Sequence, residues 1–92
     1  MPKLTDDEVA AGLESLTGWS RSGDTIVKHY TFKTFQEGIR FVDRVAFAAD
    51  KADHHPDIDI RYTRVTMALS THSAGGLTRK DLALAAEIEK TA

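Results

Sequence analysis

Apolar residues recur at two different periods along this chain, and the switches between them lay out its elements. Val9, Leu13 and Leu16 are spaced as a short helical stripe. Phe35, Ile39, Val42, Ala46 and Ala49 repeat that spacing over a longer stretch, with Phe41, Val45 and Ala48 widening the face. Leu82, Ala85, Ala86 and Ile88 form a third, weaker stripe. Each stripe follows a threonine placed three residues before an acid: Thr5 before Glu8, Thr34 before Glu37, Thr78 before Asp81. This is the capping-box pattern that starts helices. The two glutamates are long enough to reach back to the cap N–H. Asp81 is shorter, so its expected contribution is mainly negative charge near a helix start.

Between the stripes the period falls to two. Trp19 to Arg21 and Thr25 to Phe32 flank a Ser22-Gly23-Asp24 turn, which predicts a hairpin. Ile58, Ile60 and Tyr62 alternate with Asp57, Asp59 and Arg61, and Val65, Met67 and Leu69 alternate with Thr66, Ala68 and Ser70. Thr63 and Arg64 are expected to turn this second hairpin, although Arg64 is a poor residue for positive φ. The predicted order is α-β-β-α-β-β-α, an α+β domain. Each strand pair has one apolar and one polar face, as in an antiparallel sheet covered by helices on one side.

Ninety-two residues are expected to make a single domain, residues 1–92. A net charge of −2 gives no basic face for nucleic acid. The chain has no cysteine, which excludes disulfides and thiolate metal sites. No apolar run approaches the roughly 18 residues of a membrane span. The first residues turn acidic at once and lack the apolar core of a leader peptide, so a cytoplasmic protein is expected.

The candidate chemistry lies in histidine. Three of the four histidines fall in two short segments, His54-His55-Pro56 and Thr71-His72. Imidazole is the side chain whose ordinary pKa, about 6.5, makes both protonation states accessible near neutrality. The second helix should run from about Phe35 to the Asp53–His54 region, since Pro56 disfavours helix at His55. His54 would then sit in the last turn, within reach of Asp50 one turn earlier, and both would favour a protonated ring. His72 is expected to end the last strand with its side chain on the polar face. Taken singly these features are ordinary: a surface Asp/His pair, a His-Pro helix stop, a strand end, a Gly75-Gly76 turn. His29 reads as a surface strand residue. Adjacent histidines leave a helix about 100° apart and there is no HExxH, so no metal site is expected.

Taken in order, the segments are more specific. Asp50-Lys51-Ala52-Asp53-His54-His55-Pro56, then Thr71-His72-Ser73-Ala74-Gly75-Gly76-Leu77-Thr78 ending at Asp81, resemble the pterin-4a-carbinolamine dehydratase family over nearly the whole chain. The resemblance implies a four-stranded antiparallel sheet with three helices packed on one face. It implies loss of water from a 4a-hydroxytetrahydropterin, a by-product of aromatic amino-acid hydroxylases, to give quinonoid dihydropterin in tetrahydrobiopterin recycling. His54, His55 and His72 match the family's catalytic histidines. His54 and His72 are read as the proton-transfer pair and His55 as orienting the pterin. Asp50 and Asp81 would support the pocket, and Thr71 and Ser73 would contact the heterocycle. Family members often carry glutamate where this chain has Asp50, so its hold on His54 is expected to be looser. The chemistry calls for no cofactor. A homodimer or homotetramer is expected, with a functional link to a hydroxylase and none to nucleic acid or membrane. Two alternatives stay open: an interaction or assembly factor on the same fold, and a pterin-binding module without turnover.

Overall fold

The computed structural model describes residues 2–92. Its elements, in chain order, are α1 (Asp6–Leu13), β1 (Ser20–Ser22), β2 (Thr25–Thr31), α2 (Phe35–Ala52), β3 (Asp57–Arg61), β4 (Arg64–Leu69), a three-residue 3-10 turn (His72–Ala74) and α3 (Arg79–Thr91). This is the α+β order expected from the periodicity.

All three helices start at the expected threonines, but the caps differ in detail. Thr5 and Glu8 close a full capping box. Thr34 accepts from the Glu37 N–H at 3.1 Å without a reciprocal bond. The full box recurs at Thr78, where the short Asp81 does reach back: Thr78 N–H donates to Asp81 Oδ2 at 2.9 Å. Aspartate succeeds there because Asp81 is wholly buried and held from its other side.

The four strands form one antiparallel sheet in the order β1-β2-β4-β3. Ile26, Tyr30, Val65, Met67 and Leu69 project from one face into the core, and Phe41, Val45 and Ala49 of α2 and Leu84, Ala85 and Ile88 of α3 close over them. The tilted rings of Tyr30 and Phe32 pack on Phe41. Helix α1 meets α3 at Gly12, where an added Cβ would lie 2.4 Å from a Leu82 methyl and would push that side chain aside. The buried stripe of α2 is Phe41, Val45 and Ala49, whereas Phe35 and Ile39 of the expected apolar face remain 47% and 39% exposed. Two overlapping apolar stripes compete on this helix, and the sheet covers one of them.

Three local expectations change. The second hairpin turns at Tyr62-Thr63, with Arg61 opposite Arg64, and it is Tyr62 that takes positive φ, at 52°. Helix α2 stops at Ala52, and Asp53 caps it in the left-handed region at φ 51°, so His54 lies beyond the last turn. Strand β4 ends at Leu69. His72 opens the 3-10 turn, which is held by the Thr71–Gly76 bridge and ended by Gly75 at φ 74°.

Candidate active site

The ends of α2, β4 and the start of α3 meet at one buried carboxylate. Asp81 is fully excluded from solvent. Its Oδ1 lies 2.5 Å from His54 Nε2, and its Oδ2 accepts from the Thr71 hydroxyl at 2.8 Å and from the Thr78 N–H at 2.9 Å. The hydroxyls of Thr71 and Thr78 are 2.9 Å apart. Burial of a carboxylate without partners would be prohibitive, and three hydrogen-bonding partners on two oxygens is the arrangement that makes it tolerable. Asp81 thus ties the His54-His55-Pro56 segment to the Thr71-His72 segment. The pairing of Asp57 with Ala68 adds to this, because it sets Pro56 and His55 beside the chain that leads into Thr71.

The chain reversal at Asp53 redirects the histidines. Beyond the left-handed cap, the His54 N–H donates to the Ala49 carbonyl at 3.1 Å and the ring turns inward to Asp81. Asp50 does not hold His54 as the one-turn spacing suggested. It meets His55 instead, with His55 Nε2 2.9 Å from Asp50 Oδ1. The two pairs differ in surroundings: the His54 and Asp81 side chains are 11% and 0% exposed, those of His55 and Asp50 59% and 80%. A buried pair fixes its ring, while an exposed one contributes at most about 1 kcal/mol.

His72 and Ser73 carry exposed side chains on the 3-10 turn. Thr71 is buried, and its hydroxyl is engaged with Asp81 and Thr78. Ser73 remains placed for solvent-side contact. Thr78, passed over in the sequence apart from its capping role, belongs to this network; its place seven residues after Thr71 gave no helical or strand signal.

A hollow of about 230 Å³ adjoins His54 and is lined by Ala52, His54, Lys80, Ala83, Leu84 and Glu87. Lys80, unremarked in the sequence, brings a cation to it. His55 and His72 do not line this hollow. Larger hollows of about 430 Å³ lie elsewhere, one between α1 and α3 and one beside Phe35 and Tyr62, and neither contains a histidine. Among the described residues no three His, Asp or Glu side chains converge as a metal site would require, and no helix is long and apolar enough to cross a membrane. His29 lies on the open face of the sheet, bonded through Nδ1 to the Thr66 hydroxyl at 2.7 Å, away from the other three.

Known proteins resemble the chain in both sequence and shape. A protein of Thermomicrobium roseum, provisionally named pterin-4-alpha-carbinolamine dehydratase, is 49% identical over 92 residues, covering all of this chain and 99% of its own. A protein of Mycobacteroides abscessus with the same provisional name is 54% identical over 89 residues, 97% of this chain and 95% of that one. The crystal structure of a transcriptional coactivator/pterin dehydratase from Brucella melitensis superposes with a TM-score of 0.94 at 34% identity, covering 98% of each chain. A pterin dehydratase-like protein described as a RuBisCO assembly factor in the alpha-carboxysome has a TM-score of 0.65 at 20% identity, over 79% of this chain and 84% of that one, and shares the fold alone. The profile of the family described as pterin 4 alpha carbinolamine dehydratase matches residues 2–91, and the chain belongs to that family.

Proposed function

We propose that the protein dehydrates a 4a-hydroxytetrahydropterin to quinonoid dihydropterin by histidine acid–base chemistry, in tetrahydrobiopterin recycling. The observation that carries this reading is the buried Asp81, which anchors one histidine segment directly and the other through Thr71. The reaction needs two proton transfers. The 4a oxygen must gain a proton to leave as water, and N5 must lose one so that its electron pair can form the C4a=N5 bond. No electron is gained or lost overall. Positioned acids and bases contribute typically about 10²–10⁴-fold to such steps. His54 and His72 are the proposed proton-transfer pair, with His55 orienting the ring from its tether to Asp50. Ser73 offers a further polar contact.

The proposed protein works as a homo-oligomer in the cytoplasm, alongside the hydroxylase that supplies its substrate. Strand β3 supports the association: it is an edge strand, and its Ile58 and Ile60 are more than a third exposed. An unpaired edge with apolar side chains favours pairing with another chain.

The test generates the 4a-hydroxypterin with an aromatic amino-acid hydroxylase and follows its disappearance. Wild-type protein should accelerate it, His54→Ala and His72→Ala should each keep partial activity, and the double variant should fall to the uncatalysed rate. A double variant as fast as wild type defeats the assignment. A wild type that binds the pterin without accelerating its dehydration makes the protein a binding module.

A further inference from the structure

Within that reading, the structure also bears on which nitrogen of His54 does the work. Asp81 makes three hydrogen-bond contacts, and on Oδ2 it accepts from Thr71 and from the Thr78 backbone. An ionised carboxylate only accepts, so the single proton of the Thr71 hydroxyl goes to Asp81. The 2.9 Å contact between the two threonine hydroxyls must then be filled by the proton of Thr78. Thr78 Oγ1 is in turn fixed as an acceptor for the Lys80 N–H at 3.3 Å. Every proton in the chain runs one way, from Thr78 to Thr71 to Asp81. With Oδ2 filled, Oδ1 has His54 Nε2 as its partner, and Nε2 must be the donor. In the neutral ring the other nitrogen is then an acceptor. Among the described residues, no buried side-chain nitrogen or oxygen lacks a partner. Among the described residues none bonds His54 Nδ1, which opens through the small exposed part of the ring.

We propose that Thr71 and Thr78 are positioning residues for the dehydration, their buried hydroxyls keeping Asp81 an acceptor so that neutral His54 carries its proton on Nε2 and presents Nδ1 to the pterin. Nδ1 is then the atom that takes up the substrate proton or, once protonated, returns one. The proposal rests on the dehydratase reading, but its first readout does not need turnover.

Long-range ¹H–¹⁵N correlation spectra of the free wild-type protein, at a pH where the ring is neutral, should show His54 protonated on Nε2. In Thr71→Val the pattern should become a mixture of tautomers. Its kcat should fall about ten- to a hundredfold, part of the roughly 10²–10⁴ that acid–base groups supply, while KM stays within about twofold. Thr71→Ser, which keeps the hydroxyl, should restore both the spectrum and kcat. An Nδ1-protonated His54 in active wild type overturns the proposal, whether or not the valine variant folds. So does a valine variant with unchanged tautomer and kcat, or one that raises KM alone, which would make Thr71 a substrate contact. A wild type without dehydratase activity overturns the reaction itself and leaves the threonines no role in it.

Discussion

Asp81 and Asp50 each face a histidine, yet burial gives them different weights. Removing Asp81 takes their shared partner from the Thr71 hydroxyl, the Thr78 N–H and the His54 ring, and unsatisfied buried groups cost about 1–3 kcal/mol each. Asp81→Ala should therefore lower stability by about 3 kcal/mol or more, read from the urea midpoint, and reduce activity with it. Asp50→Ala should change stability by less than about 0.5 kcal/mol, because its partner is exposed and water replaces the bond. Its effect should be confined to the kinetics, as a modest rise in KM from a freer His55. The histidines, Asp50 and Asp81 were all visible in the sequence; the pairings were not. Spacing of four residues suggested Asp50 for His54, but the left-handed turn at Asp53 rotated the following residues and delivered His55 to Asp50. An aspartate in that conformation leaves no more than a weak trace in sequence, since glycine and asparagine are the usual residues there.

Among the elements, helix starts and strand alternation were legible because caps and periodicity are local. Turn details were less so, and Tyr62 shows why. A bulky aromatic at φ 52° is strained by about 1–2 kcal/mol, and the strain is imposed by the Arg61–Arg64 register rather than by any local preference. Tyr62→Asn should relieve part of it and raise the unfolding free energy by about 0.5–1 kcal/mol. The end of α3 is held by a different device. Glu89 Oε1 accepts from Trp19 Nε1 at 3.1 Å, from Lys28 Nζ at 2.6 Å and from the Tyr30 hydroxyl, fastening the helix to β2 and the loop before β1. Burial pushes the Glu89 carboxyl up, but the bonds from Lys28, Tyr30 and Trp19 outweigh it and hold the group below the usual glutamate value of 4.5. Burial, with the Glu89 bond, raises Tyr30 far above an ordinary tyrosine. A carboxyl lowered on folding contributes stability that is complete above its unfolded value and is lost as pH falls through the folded one. Stability should thus decline below about pH 4.5, and Glu89→Gln should flatten part of that decline in urea titrations across pH 3–7. None of this cluster was read from the sequence, because its members lie 59 to 70 residues from Glu89.

At the scale of the whole molecule, the helices cover one face of the sheet and leave an apolar margin along β3, where Ile58, Ile60 and Tyr62 are exposed, with Phe35 and Ile39 of α2 also uncovered. The proposed association through this edge predicts that Ile60→Lys shifts the protein toward monomer in light scattering after gel filtration, without loss of the folded circular dichroism spectrum. The periodicity anticipated an apolar face at all five positions, but it cannot tell a face covered within one chain from a face left open. Asp81 carries the most consequential economy of the design. One side chain is both the reciprocal half of the Thr78 box and the anchor of His54. Fraying of the first turn of α3 would release the imidazole at the same moment. The integrity of that helical turn and the readiness of the ring are consequently a single equilibrium, and amide exchange at Asp81 reports on both.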